Sequence, residues 1–467
     1  MITHLKRREN MSQQTMSRRQ FLKGLGLGAG VATLAACSAP AQPAAPQQPP
    51  QQAATQAPGV VKQPGSVVTV TYWGFSGGVN EATNKELTDK FNSMQSEVKV
   101  DLQVQGNYEE TANKLTAALA AKQGPDACLL SDVWWFKFFR AKALQPLNDY
   151  VTAEKIDTKD FVESLWNEGV RKGVQYWIPF ARSTPLFYYN ADMFEKAGIA
   201  KPPTTWQELI DNAPKLTKKE GDTIKVAAFV HANGASYVAW VFQCVAWQFG
   251  GGYSDQTLTK YMMTEPDTIR AGQFYADSVN KTKWAVTSTD VQKDFISELA
   301  ATALMSTGSL GGVLKDAKFK VGTAFLPQEK NFGCCTGGSG ISVLATAPKE
   351  KAQAALKYIN FLTGNDGGAT WAQKTGYMPV RLSTAKTESY AKFFQERPQA
   401  KTAVEQLPKT RPQDAARVFI PGGDQTIGKG LERIMTGKED VAKVFGEVQK
   451  QLETDGEPVK KDIAALS

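Results

Sequence analysis

Histidine is almost missing from this chain of 467 residues: His4 and His231 are the two copies. That excludes paired-histidine metal sites. It also leaves any Ser-His or Cys-His nucleophile resting on His231, because His4 falls in an amino-terminal tag. Cysteine is scarce too. Among Cys37, Cys128, Cys244, Cys334 and Cys335 no pair has C-x-x-C spacing, which argues against zinc and thioredoxin chemistry. A bridge between adjacent Cys334 and Cys335 would be strained, so they read as small apolar residues near a strand start; a long-range disulfide stays open. There is no nucleophile elbow, no Walker A loop and no His-Glu-x-x-His helix. Dense Lys/Arg blocks are absent, which argues against a nucleic-acid partner. The expectation is a protein without enzymatic chemistry and without a cofactor.

What is present begins with a targeting segment. Ser17-Arg18-Arg19-Gln20-Phe21-Leu22-Lys23 has the paired arginines and following Phe-Leu-Lys of a twin-arginine export signal. Eleven mildly apolar residues, Gly24 to Leu34, follow. They are too few to span a bilayer, which takes about 20 apolar residues, and have the layout of a secretory signal. Leu34-Ala35-Ala36-Cys37 resembles a bacterial lipobox, which would make residues 1–36 a signal peptide and Cys37 the lipidated mature terminus. From 37 to 66 the chain is mostly Ala, Gln, Pro, Gly and Thr, with Lys62 its one charge. Such a composition cannot bury enough surface to fold. As an extended tether it reaches up to about 90 Å from the anchor, at ~3.1 Å per residue.

Roughly 400 residues follow, enough for two domains. Six basic residues and one acidic residue of the tag account for five of the eight net positive charges, so the remainder is close to neutral. Val67–Trp73 alternates as a strand, and 80–94 has helical spacing through Leu87 and Phe91. Strand, helix, strand and helix follow at 98–104, 108–121, 127–130 and 134–143. This alternation predicts an α/β architecture with helices on both sheet faces. Further on, strand-like runs at 177–180 and 186–190, a helix over 291–304, a strand over 321–326 and an apolar run at 341–345 are expected. Beyond Lys349 the pattern is mostly helical.

Five stretches carry a resemblance. They are Tyr72-Trp73-Gly74, Ser183-Thr184-Pro185-Leu186-Phe187-Tyr188-Tyr189-Asn190, Pro202-Pro203-Thr204-Thr205-Trp206-Gln207-Glu208-Leu209, Gly337-Gly338, and Gln373-Lys374-Thr375-Gly376-Tyr377-Met378-Pro379. In their order and content they resemble the family 1 extracellular solute-binding proteins of carbohydrate ABC transporters, and most nearly the glycerol-3-phosphate-binding subgroup. The resemblance implies a two-lobe periplasmic-binding-protein fold of type II with the ligand cleft between the lobes. Lobe 1 is expected over 67–179 and 285–335, and lobe 2 over 180–284 and 336–467.

Carried over residue by residue, the subgroup's ligand contacts fall on Tyr108, Asp132 (where the subgroup has Glu), Ser183, Ser306, Gly338 and Tyr377. Its phosphate-binding arginine, aligned back from Thr436-Gly437-Lys438, falls on Asp424, where a carboxylate would repel a phosphate. Arg417 and Lys429 are the nearest cations. The departure points to a neutral, hydroxyl-rich ligand, since Asp132 and Asp424 can accept from sugar hydroxyls and aromatic rings can stack on sugar faces. Trp73, Phe75, Trp206, Tyr237 and Trp240 are the further candidates, alongside Trp134 and Trp247, with core packing the plain alternative for most tryptophans. Tyr188-Tyr189 reads as structural, because strand alternation sends the two rings to opposite faces.

The expected function is capture of a sugar or oligosaccharide in the cleft and its delivery to the membrane subunits of an ABC permease. The protein would be an exported monomer, periplasmic or held on the outer face of the membrane by its lipid anchor. A glycerol-3-phosphate or glycerophosphodiester receptor using Arg182 or Arg417 is the alternative ligand reading. A lipid-anchored glycoside hydrolase built on Asp132 and Asp424 is the alternative from another class.

Overall fold

The computed structural model describes residues 67–466. The expected signal peptide, Cys37 and the linker to residue 66 lie outside the described residues. Two main sheets are built from ten strands: β1 (Val68–Gly74), β2 (Val98–Val104), β3 (Ala127–Ser131), β4 (Ile178–Ser183), β5 (Pro185–Asn190), β6 (Thr223–Ala232), β7 (Ala285–Ser288), β8 (Ala300–Ser306), β9 (Val321–Ala324) and β10 (Gly337–Val343). The helices used below are α1 (Gly78–Met94), α2 (Tyr108–Ala120), α3 (Ala235–Phe249), α4 (Pro266–Asn280), α5 (Lys349–Thr363), α6 (Asn365–Thr375), α7 (Gly423–Met435) and α8 (Val441–Leu466).

The first sheet has the order β2-β1-β3-β10-β4. Strand β1 runs parallel to β2 and β3, while β10 runs antiparallel to both β3 and β4. Parallel neighbours need crossover helices, and α1 and α2 supply them. Helices α5 and α6 add cover, packing on β1 and α1 respectively. The second sheet has the order β7-β6-β8-β5-β9, with the short strand Lys218–Glu220 beside β6. Helices α3, α4, α7 and α8 pack on one another around it. Apolar residues of β3, wholly buried from Ala127 to Leu130, explain its continuous hydrophobic run: both faces are covered.

Strand pairing corrects the expected lobe division. Segment 285–335 carries β7, β8 and β9, which pair within the second sheet, and β10 from the supposed second-lobe segment lies in the first, between β3 and β4. The α/β character of the chain gave no register, and only hydrogen-bonded partners decide which lobe a strand joins. The chain passes from the first sheet to the second at Thr184 and returns between Ala324 and Gly337.

The helix expected over 291–304 also divides. Its helical part ends at Ile296, Glu298 turns with φ of 59°, and Ala300–Ser306 becomes β8. Ala300 to Met305 are buried between β6 and β5, so tertiary pairing overrides the helix preference of alanine.

His231, the lone histidine of the described residues, ends up in the second lobe's core. Its Nε2 lies 2.8 Å from Ser278 Oγ, Nδ1 has no partner among the described residues, and its ring packs 4.1 Å from that of Tyr275. Burial pushes its pKa down to about 3. A histidine depressed in the fold binds fewer protons than in the unfolded chain, so its contribution to stability is complete above about pH 6.5 and is lost progressively as pH falls toward 3. The imidazole is therefore expected to show no titration by NMR between pH 8 and 5 at folded temperatures. An imidazole midpoint near 6.5 in the native protein would contradict this placement.

The four described cysteines are buried and free. Cys334 and Cys335 are not bridged to each other, and Cys244 Sγ lies 3.4 Å from Cys335 Sγ.

Candidate functional site

A cavity of about 430 Å³ opens where the two sheets meet. From the first lobe, Tyr108, Asp132, Ser183, Gly338 and Tyr377 line it; from the second, Tyr237, Trp240 and Ser306 do. Eight of the twelve residues expected at the ligand site thus converge on one space.

Each has a local reason for its position. Tyr108 is the first residue of α2, whose start is fixed by a capping box: Asn107 Oδ1 accepts from Glu110 N and Glu110 Oε2 accepts from Asn107 N. The Tyr108 hydroxyl donates to Ser339 Oγ at 3.1 Å, and burial pushes its pKa up to about 12. Tyr377 follows Gly376, which ends α6 with a left-handed φ of 93°. Its ring stacks on Trp371 at 5.6 Å, and it too is held well above the usual tyrosine range, mainly by burial. Asp132 follows the end of β3, with its N–H donated to Gly338 O across the pairing with β10. On the other wall, Tyr237 Oη accepts from Ser306 N at 2.8 Å, and Ser306 Oγ accepts from Gly308 N. Trp240 Nε1 donates to Thr336 O and its ring meets Tyr237 at 5.6 Å.

Four expected residues stand elsewhere. Phe75 lies behind the wall, its ring 5.8 Å from Tyr108 and 5.7 Å from Tyr377, so it positions both without lining the cavity. Trp73 is buried and donates from Nε1 to Gln103. Trp206 belongs to the second lobe's core, bonded to Gln248 Oε1 at 2.6 Å and packed on Phe229 and Phe274. Both are amphipathic residues whose single polar atom finds a partner within its own lobe, buried for Trp206 and at the surface for Trp73. Asp424, one residue into α7, is buried behind the lining and accepts from Ser236 Oγ at 2.5 Å. Burial raises its pKa, and Arg417 opposes that rise.

The cation on the wall is Arg417. Its Nη1 lies 3.8 Å from Asp132 Oδ2, and both contact Gln413: Gln413 Nε2 donates to Asp132 Oδ2 at 2.6 Å, and Arg417 donates to Gln413 Oε1. The sequence names Arg417 only as an alternative. Its signal is an ionisable residue inside Ala415-Ala416-Arg417-Val418, a short apolar turn that is wholly buried. Such a charge has to meet a partner or a ligand. Arg182 is not on the wall; it is fully buried and pairs with Glu168. Trp247 shares its Nε1–H between the two oxygens of Asp414, away from this cavity.

Comparison with known proteins bears on the family and the fold. Residues 86–402 match the model of the family described as bacterial extracellular solute-binding protein. The sn-glycerol-3-phosphate-binding periplasmic protein UgpB of Shigella dysenteriae is 25% identical over 401 residues, covering 80% of this chain and 89% of that protein. The same-named protein of Escherichia coli K12 is 24% identical over 399 residues, with the same shares covered. Among solved structures, UgpB from Mycobacterium tuberculosis in complex with glycerophosphocholine superposes with a TM-score of 0.80 at 37% identity, over 84% of this chain and 99% of that one. A solute-binding protein of Thermotoga lettingae bound with α-D-tagatose, 21% identical with a TM-score of 0.73, shares the fold over 83% of this chain and 99% of its own. With its two-lobe fold and a cavity lined from both lobes, the chain belongs to the bacterial extracellular solute-binding proteins.

Proposed function

We propose that the cavity captures a small, hydroxyl-bearing solute of no net charge, a sugar in the first instance, and that the loaded protein presents it to the transmembrane subunits of an ABC permease. The observation that carries this reading is charge balance. The two buried charges of the lining, Asp132 and Arg417, face each other at 3.8 Å, and the exposed Glu109 adds a second carboxylate, so a doubly charged anion would find one cation already half-committed and a like charge beside it. Asp132, Ser183, Ser306 and the two tyrosines offer hydroxyl-matching donors and acceptors, and Trp240 with Tyr237 offers aromatic surface. Contacts from both lobes form together only when the lobes are closed on the solute, which is how binding would select the closed state. The protein works as a monomer, held outside the membrane by lipid on Cys37.

Arg417 favours a second reading. Asp424 does not line the cavity, so the carboxylate expected to repel a phosphate is withdrawn and a guanidinium stands on the wall instead. A zwitterionic glycerophosphodiester would satisfy the same neutrality, its phosphate on Arg417. The glycoside hydrolase alternative loses support: Asp424 is engaged by Ser236 behind the lining and does not face Asp132 across the cavity.

Thermal unfolding of the described domain against neutral mono- and disaccharides, glycerol-3-phosphate and glycerophosphocholine tests the reading. A true ligand at a hundredfold excess over Kd stabilises by about 2.7 kcal/mol. Neutral sugars or the phosphocholine diester are expected to raise the midpoint, and Arg417→Gln to remove a diester response while sparing a sugar response. A response to glycerol-3-phosphate alone would refute the neutrality argument.

A further inference from the structure

A second cavity of about 340 Å³ adjoins the first, and Asp132 lines both. The partition between them is the triad Asp132, Gln413 and Arg417. Its lining holds two carboxylates and two arginines, but the charges are not evenly matched. Glu168 is taken by the fully buried Arg182, with Thr336 Oγ1 donating to its other oxygen at 2.9 Å, and Asp132 is taken by Arg417 and Gln413. Neither lining arginine, Arg171 or Arg411, has a carboxylate within 4 Å among the described residues. Arg171 donates Nη1 to the carbonyls of Glu168 and Val170 and lies over the rings of Trp135 and Phe419. Arg411 stacks 3.7 Å above Trp247 and makes no side-chain hydrogen bond among the described residues. Asp414 acts on Arg411, and Glu168 on Arg171, through space and without a contact inside 4 Å; the Asp414 oxygens accept from Trp247 Nε1 and Tyr253 N.

We infer that this second cavity is a subsite for an oxyanion, a carboxylate or phosphate, held between Arg171 and Arg411. Stacking fixes each guanidinium plane while leaving donors free, an arrangement suited to oxyanion recognition. Asn167 and Gln256 add amide groups around the same space, whereas the hydroxyls of Thr336 and Thr410 donate to Glu168 and to Leu407 O. The anion can come from either of two sources: the far end of a solute whose polyol part fills the first cavity after Gln413 swings aside, or a separate small anion. In the first case only the part inside the first cavity is neutral and the solute as a whole is an anion; in the second the solute of the first cavity is itself neutral.

Calorimetric titration with inorganic phosphate and with lactobionate, a disaccharide-length sugar acid, at ionic strength held constant with sodium chloride, tests it on the whole domain. Arg411→Gln is expected to weaken both by about tenfold or more, the loss of a charge-assisted contact. Lactobionate binding tighter than phosphate, with that advantage lost in Arg411→Gln, identifies one solute spanning both cavities; equal losses identify a separate anion. Selenate soaked into crystals should give its anomalous peak between Arg171 and Arg411. A peak at Arg417 in the first cavity, or affinities unchanged by Arg411→Gln, would overturn the inference. Should Arg411→Gln fold poorly, Gln256→Glu, placing a carboxylate on the exposed rim, must give the same loss.

Discussion

Gly338→Ala is expected to cost the fold about 3 kcal/mol or more and to weaken solute binding at least about tenfold. The residue has φ of 102°, a region that an alanine side chain strains to occupy, and a Cβ there would stand 2.1 Å from Ala181 O. That oxygen is backbone of β4 and cannot rotate away. Relief has to come from separating β10 from β4, and β10 is also the strand whose Gly338 carbonyl receives the Asp132 N–H. The damage therefore travels from the sheet to a carboxylate on the cavity wall. Urea unfolding with the ligand panel at 20 °C below the midpoint would measure both effects. A variant with wild-type stability and affinity would mean that the pairing of β10 with β4 is dispensable.

Arg182→Met is expected to be the most destabilising change away from the cavity lining, at about 3 kcal/mol, the lower end of what breaking a buried ion pair costs, because the Glu168 side chain keeps about a quarter of its surface in solvent. Arg182 is fully buried over Trp177, its ring distance 5.0 Å, and it holds Glu168 against Thr336. Burial already raises the Glu168 pKa, and Arg182 is the group that restrains the rise. Without it the carboxyl moves further up. A carboxyl raised in the fold binds more protons than in the unfolded chain, so the variant's deficit should be greatest above the new folded value and shrink as pH falls toward the unfolded value near 4.3. The double variant Arg182→Met/Glu168→Gln should recover most of the loss at neutral pH, since no unpaired charge remains. If the double variant is as unstable as the single one, the cost lies in the packing of the arginine stem on Trp177 and not in the orphaned carboxylate.

Much of the site was legible in the sequence because its residues sit at punctuation points. Tyr108 follows Gly106-Asn107, a turn and an N-cap; Tyr377 follows Gly376, a helix stop; Gly338 is the second residue of a strand; Ser306 closes one. Residues at element ends face clefts, and short motifs record element ends. The tryptophans were less legible. Trp206 occupies the first turn of a helix, as Tyr108 does, yet packs inward, because its neighbours Phe229 and Phe274 come from remote segments. Arg417 and Asp424 were exchanged for a similar reason. They lie seven positions apart on either side of a left-handed Gly422, and alignment along the chain cannot tell which side faces the cavity. Strand β8 shows the limit for the fold: Ala-Ala-Thr-Ala-Leu-Met fits a buried helix or a buried strand equally, and only its partners β5 and β6 decide.

Strand β10 has a consequence for how the chain assembles. Every strand of the second sheet, from residue 185 to 324, is spelled out between β4 and β10, and β10 fills the gap that separates β3 from β4. During synthesis the first sheet therefore starts earlier yet is completed later: until residue 343 has emerged, β3 and β4 have no strand to join them and present open edges. The second sheet has all its strands by residue 324, although α7 and α8, which pack beside it, are made only after residue 422. A ribosome stalled between residues 324 and 343 would display every strand of one lobe's sheet beside two unjoined pieces of the other, the form of this protein most exposed to aggregation and to chaperones.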